Sequence, residues 1–309
     1  MPRILAITGG VGGAKLALGL SRLLRPEELA FAVNTGDDFE HLGLEICPDL
    51  DTLTYTLAGL ANSETGWGRA DETWSFLGAL RELGGETWFQ LGDKDLALHV
   101  TRTRMLREGA TRTEAAAAVG HALGVGHAIL PMSDQPVRTT VHTPDGPLAF
   151  QHYFVRDRCA PAVTGFEFRG AEAAVPNPAL LDWLARVDGV VICPSNPFVS
   201  VDPMLSIPGM REALAAAPVP VVAVSPIVGG TAIKGPAAKM MRELNLPASA
   251  EQVAEHYGAL LDGFVLDHQD AGLVPRLRVA SVVTQTVMLT LRDRVDLAET
   301  VIQFVEDLS

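Results

Sequence analysis

Four short apolar runs, each ending in glycine, proline or small polar residues, constrain this chain more than any other feature. They are "ILAITGG" (Ile4–Gly10), "AFAVNTGDD" (Ala30–Asp38), "GVVICPSNP" (Gly189–Pro197) and "PVVAVSPIVGG" (Pro220–Gly230). Apolar runs without polar alternation suit strands covered on both faces, as in a parallel sheet sandwiched between helices. In such sheets ligands gather beyond the carboxyl ends of the strands. The polar turns are therefore expected on one rim, and the functional site with them.

Helical patterns fill the gaps. Leu50, Leu53, Leu57 and Leu60 form a stripe after Pro48. Further helices are expected over Asp95–Arg107, Thr113–Leu123, Pro178–Arg186, Met210–Ala216, Ala237–Leu244, Ser249–Leu261 and Asp296–Leu308. Val137–Val155 reads instead as a hairpin around Asp145-Gly146. The expected fold is α/β: a Rossmann-like, doubly wound, mostly parallel sheet with a helical and β-hairpin insertion. Residues 1–62 and 170–309 would form the nucleotide-binding core, and 63–169 an inserted cap at the acceptor site. Ala213–Ile233 carries no charge and could span a bilayer, but Pro218, Pro220, Pro226, Gly229 and Gly230 break it, so it reads as a buried strand between turns. The start Met1-Pro2-Arg3 runs straight into a strand, which points to a cytoplasmic protein. A net charge of −13 argues against nucleic acid or an anionic membrane as partner. Cys47, Cys159 and Cys193 are too scattered for a zinc site or a disulfide framework.

The turn "ITGGVGGAK" (Ile7–Lys15) follows a strand and opens a helix, which is how backbone amides are presented to a phosphate. It is not a P-loop, because Lys15 comes too soon after Gly9 and Leu16 replaces the magnesium-binding Ser or Thr. Gly10 and Gly12 match a dinucleotide fingerprint, but Lys15 stands where its third glycine belongs. The stretch "NTGDDFEHLGLEICPDLDT" brings Asp37, Asp38, Asp49 and Asp51 to one strand end. Grouped carboxylates favour a hard cation such as magnesium, which grips substrate phosphates. Taken singly, Asp49 is also a good helix N-cap, and Asp37 and Asp38 also suit a turn. Lys94, between Asp93 and Asp95, reads from the residues alone first as surface salt bridging. "PSNP" and "SPIVGGTAIKGP" offer Ser195, Asn196, backbone N–H groups and Lys234 for purine edges or phosphates, although turn chemistry alone selects the same residues. The residues by themselves imply a magnesium-dependent enzyme that handles a nucleotide or diphosphate.

In chain order, "TGGVGGAKL", "NTGDD", "CPDLDTLTYTLAG", "LGDKDLALH", "ILPMSDQPVRT", "PSNPFVSVDPMLSIPGMR" and "SPIVGGTAIKGPAAKMM" resemble the 2-phospho-L-lactate transferase family. The resemblance runs along almost the whole chain. It implies transfer of a phospholactyl or phosphoenolpyruvyl group from a guanosine diphosphate conjugate onto the deazaflavin precursor FO, with release of GMP, in coenzyme F420 biosynthesis. It further implies that the amides from Gly10 through Gly12 and Gly13, with Lys15, neutralise the donor diphosphate. Asp37, Asp38, Asp49 and Asp51 would hold Mg2+, Asp37 and Asp51 would act in catalysis, and Asp51 with Lys94 would contact FO. Ser195 and Asn196 are candidates for reading guanine, and a homodimer is expected.

Two rival readings share parts of this pattern. Nucleotide-sugar-binding regulators share the glycine turn but carry a "TDDGGSSG"-like stretch where this chain has "NTGDDFEHLG". A nicotinamide-dependent oxidoreductase would place Asp37 on the adenosine ribose, but Asp37 lies beyond the usual spacing.

Overall fold

In the computed structural model, which describes residues 1–309, seven strands form one sheet. They are β1 Ile4–Thr8, β2 Leu29–Val33, β3 Ala128–Pro131, β4 Gly189–Ile192, β5 Val221–Val224, β6 Gly263–Asp267 and β7 Ala280–Thr284. Their order is β7-β6-β5-β4-β1-β2-β3, and every neighbouring pair is parallel. The four apolar runs are β1, β2, β4 and β5. Side chains alternate between two cores: Leu5 and Ile7 enter one face, Ile4 and Ala6 the other. Both faces are dry, which is why these strands lack polar alternation. The chain reverses direction across the sheet between β1 and β4, and a crevice opens there at the carboxyl ends of the strands.

The helices that matter for the site are α1 Gly10–Leu23, α2 Pro48–Leu57, α3 Ser75–Glu82, α4 Asp93–Arg107 and α5 Arg112–Ala122. A C-terminal helix, Leu291–Leu308, lies against α1. The two approach closely at Gly19, where a Cβ would strike the Arg294 carbonyl. This helix starts earlier than its apolar pattern implies, because Thr290 and Asp293 form a reciprocal capping box.

Three expectations need correction. Residues 63–169 are not wholly an insertion, since Ala128–Pro131 pairs with β2 as the sheet edge. The hairpin is real, with Arg138–Thr143 paired to Gly146–Ala149, but the chain then coils into a helical turn before Val155, and Gly165–Arg169 adds a third strand. The helix expected over Ser249–Leu261 stops at Tyr257, because Gly258 adopts φ +59° and breaks it.

Candidate active site

A cleft of about 690 Å³ lies at the crevice between β1 and β4, within the usual size of small-molecule sites. Its floor is the glycine turn. Gly10 has φ +64°, a left-handed backbone that glycine adopts at least cost. A Cβ at Gly12 would lie 2.5 Å from the Pro194 carbonyl oxygen, and one at Gly13 would strike the Thr8 and Ser195 hydroxyls. Gly10 and Gly12 line the cleft; Gly13 does not, and serves the packing of α1 on β1 and β4. The first-turn N–H groups of a helix have no intrahelical acceptor, which leaves those of Val11 and Gly12 to face a ligand. The Gly10 N–H is already taken: it donates to Asp49 Oδ1 at 2.8 Å.

Lys15 also lines the cleft, and its Nζ donates to the Met288 carbonyl at 2.9 Å. Burial lowers its pKa, and the charges of Arg294 and Lys234 lower it further. Ser195 clasps the turn by accepting from Gly9 N at 3.1 Å and donating to Gly9 O at 2.9 Å. Asn196 accepts from Phe198 N and so caps the turn that follows β4. Both residues line the cleft, but the Ser195 hydroxyl and the Asn196 Oδ1 are already committed to backbone, and Asn196 Nδ2 donates to the Met240 sulfur at 3.3 Å.

The four aspartates do not form one cluster. Asp37 is buried at the cleft wall, and its Oδ1 has no partner. Burial holds its pKa well above the carboxylate range, and the nearby charge of Asp49 adds to this. Asp49 sits in the first turn of α2, whose N-cap is Cys47, so it does not cap its own helix. Its carboxylate reaches instead to Gly10 N and to Asn34 Nδ2, the latter at 2.9 Å. Burial pushes its pKa up to about 6 against those two bonds. Asp38 lies off the cleft, 3.3 Å from Arg112 Nη1, with its pKa raised to about 7 by burial despite that arginine. Asp51 lines the cleft, but both its oxygens accept from buried Arg102.

The three side chains that do converge are Asp51, Asp95 and His99, with ligand atoms within 4.8 Å of one another. His99 is buried between the two carboxylates, Nδ1 3.6 Å from Asp51 and Nε2 3.3 Å from Asp95. Tyr55 donates its hydroxyl to Asp95. Lys94, one residue away, points elsewhere. Its Nζ donates to the Asp71 carbonyl at 2.6 Å, outside the cleft walls. The residue at this position that faces the cleft is therefore Asp95, not Lys94.

Part of the cleft wall is aromatic. Trp88 and Phe89 meet edge-on at 5.7 Å, and Phe150 stacks on Phe154 at 5.4 Å with planes 10° apart. Trp67 also lines the cleft and is 46% exposed. Sequence reasoning missed this wall, whose signals were the runs "ETWFQ" (Glu86–Gln90) and "FQHYF" (Phe150–Phe154), the latter read only as part of a hairpin. The cleft thus combines an anion-receiving turn, flat apolar rings and carboxylates.

A cation at the cleft is best matched by Asp37, whose orphaned buried oxygen needs a partner, with Asp49 beside it. Asp38 and Asp51 are already neutralised by arginines and fit that part poorly.

The family model for "2-phospho-L-lactate transferase CofD" matches residues 4–302. A phosphoenolpyruvate transferase of Kitasatospora aureofaciens is 42% identical over 298 residues, covering 94% of this chain and 93% of that protein. A 2-phospho-L-lactate transferase of Methanosarcina mazei is 37% identical over 303 residues, covering 97% and 99%. Among solved structures, a UPF0052-family protein of Bacillus halodurans aligns over 97% of this chain and 98% of its own with a TM-score of 0.65; at 14% identity the likeness is one of fold alone. No helix is long and apolar enough to cross a membrane. The chain belongs to the 2-phospho-L-lactate transferase family.

Proposed function

We propose that this transferase moves a phospholactyl or phosphoenolpyruvyl group from its guanosine diphosphate conjugate to the terminal ribityl hydroxyl of FO, releasing GMP. The observation that carries this reading is that one cleft is lined both by a glycine turn with Lys15 and by an aromatic group of Trp88, Phe89, Phe150 and Phe154. The first suits a diphosphate, the second a planar deazaflavin. The hydroxyl oxygen bonds to the phosphorus distal to guanosine, and the bond from that phosphorus to the bridging oxygen breaks. GMP leaves with the electron pair, and the hydroxyl proton passes to a cleft carboxylate.

Catalysis here is mostly positioning and charge neutralisation. Asp37 with Asp49 would hold Mg2+, which when bound neutralises phosphate charge. Asp51, held in place by Arg102, orients the acceptor. By family resemblance the enzyme works in the cytoplasm as a homodimer.

The test is to supply FO with each guanosine diphosphate conjugate in turn and follow the phosphorylated deazaflavin and GMP by mass spectrometry. Product is expected from one or both donors, abolished by EDTA and restored by Mg2+. No product from either donor refutes the transfer, and full turnover in excess EDTA refutes the metal.

A further inference from the structure

Trp88 and Phe89 line the cleft from a segment that does not hold itself in place. Residues 83–92, between α3 and α4, form no helix or strand, and those from 86 to 91 make no backbone–backbone hydrogen bond. The two side chains are therefore placed by what their rings touch. Behind them lies a short hairpin, Phe39–His41 paired with Leu44–Ile46 and closed by Leu42 and Gly43, both left-handed. Its Phe39 meets Phe89 edge-on at 4.9 Å, and its His41 meets Trp88 at 5.1 Å and Phe89 at 6.0 Å. His152, which opens the helical turn His152–Arg156, meets Trp88 at 4.9 Å.

Four rings thus surround Trp88, and two are imidazoles, the side chain that changes charge between about pH 5 and 8. His41 is 5% exposed, and its buried Nε2 has no partner. Burial lowers its pKa; Glu86 opposes that shift and His152 adds to it. Glu86 also accepts the indole N–H of Trp88 at 3.3 Å. One carboxylate therefore stands available to both the indole and a charged His41. The other charged groups nearby are spoken for. Arg156 and Asp157 pair with each other at 2.8 Å, and Arg107 of α4 donates to the Gly43 carbonyl at the hairpin turn. Glu40 and Glu45 are opposite one another in the hairpin and so point to the face away from His41, where Glu45 meets Arg112 and Arg138.

We infer that His41 is a positioning residue for the acceptor: neutral, it packs Trp88 into the flat surface on which the deazaflavin rests, and charged, it draws Glu86 from the indole N–H and releases Trp88. This rests on the reading of the aromatic group as the acceptor surface, proposed above. A ring received by a preset surface binds with less ordering cost than one that must assemble it. Acceptor affinity should then fall as pH drops through the His41 pKa, which lies below 6.5.

Two measurements on the full chain separate the clamp from the acceptor. Indole fluorescence of the ligand-free protein is titrated from about pH 8 to pH 5 in wild type, His41→Phe and Trp88→Phe. Wild type is expected to show a transition centred below about pH 6.5 that both variants lack. FO binding is then followed by deazaflavin fluorescence over the same range. Wild type should weaken by up to about tenfold, in proportion to the fraction of neutral His41, and His41→Phe by less than about twofold. GDP affinity should change with pH in the same way in both. His41→Gln, likewise uncharged, serves in place of His41→Phe should the latter melt early. An indole transition that persists in either variant, or is absent from wild type, overturns the inference, as does an equal acid loss of FO affinity in wild type and His41→Phe. If the indole transition behaves as expected but wild type binds no FO at any pH, the acceptor reading fails, and with it the acceptor half of the inference.

Discussion

Asp51 and Arg102 make a sharp test of how the site is held. Their side chains are 8% and 5% exposed, and both Asp51 oxygens accept from the one guanidinium, with Nη1 at 3.1 Å from Oδ2. Burial alone would lower the arginine pKa, yet the Asp51 charge holds it above its ordinary value. Replacing Asp51 by Ala leaves a buried cation facing few alternatives, and breaking a buried pair in this way costs about 3–5 kcal/mol. At ~2.1 cal/mol/K of unfolding entropy per residue, the whole chain shifts by about 1.5 °C per kcal/mol, so Tm should fall by roughly 5–8 °C. Calorimetry on Asp51→Ala reads this directly. The double variant Asp51→Leu with Arg102→Met removes both charges and should regain most of the loss, since buried pairs exchange for apolar groups at little net cost. A single variant that melts within about 2 °C of wild type refutes the buried-pair argument. A double variant that melts normally but transfers nothing separates the part Asp51 plays with the acceptor from its structural part.

Two further outcomes follow from the glycine turn and its neighbours. Gly13→Ala forces a Cβ into the Thr8 and Ser195 hydroxyls and should cost about 1–3 kcal/mol in urea unfolding, whereas Gly10→Ala meets no atom within 4 Å and should cost only the ~1–2 kcal/mol of a left-handed backbone; a Gly13→Ala chain as stable as wild type contradicts the close packing. The Asp49 pKa of about 6 exceeds that of an unfolded aspartate, near 3.9, so its stabilising contribution is complete below about pH 4 and is lost as pH rises through 6. Asp49→Asn lacks that loss, and its stability relative to ligand-free wild type should improve by on the order of 1–3 kcal/mol between pH 4 and pH 8; a difference that is flat or reversed across this range rules out the raised pKa.

The parts of the fold visible in the sequence are those where one physical demand acts alone. β1, β2, β4 and β5 are covered on both faces and so read as bare apolar runs. β3 is four residues ending in Pro131, and β7 is an edge strand with partly exposed side chains, so neither makes such a run. The glycine turn was legible because Gly10 must turn left-handed and Gly12 must admit a carbonyl. The aspartates were legible as residues but not as partners. Arg102 and Arg112 are on α4 and α5, far along the chain, and nothing local marks them as the counterions of Asp51 and Asp38. Asp95 and His99, four apart on α4, carried a signal that sequence reasoning passed over, because residues at that spacing share a helix face. Lys94 sits next to Asp95 and therefore on a different face.

The hydrogen bond from Lys15 to the Met288 carbonyl also says when in the life of the molecule its site can exist. The glycine turn leaves a ribosome long before Met288, which lies 273 residues beyond Lys15. Yet Thr286, Val287 and Met288 line its cleft, and the helix that covers α1 ends at Leu308. Until residues 286–308 emerge, α1 has an uncovered apolar flank and Lys15 has no carbonyl to hold it. Contacts between residues so far apart in sequence form late and slowly. A chain halted before residue 286 would carry every aspartate of the site and still have no finished place to put a donor.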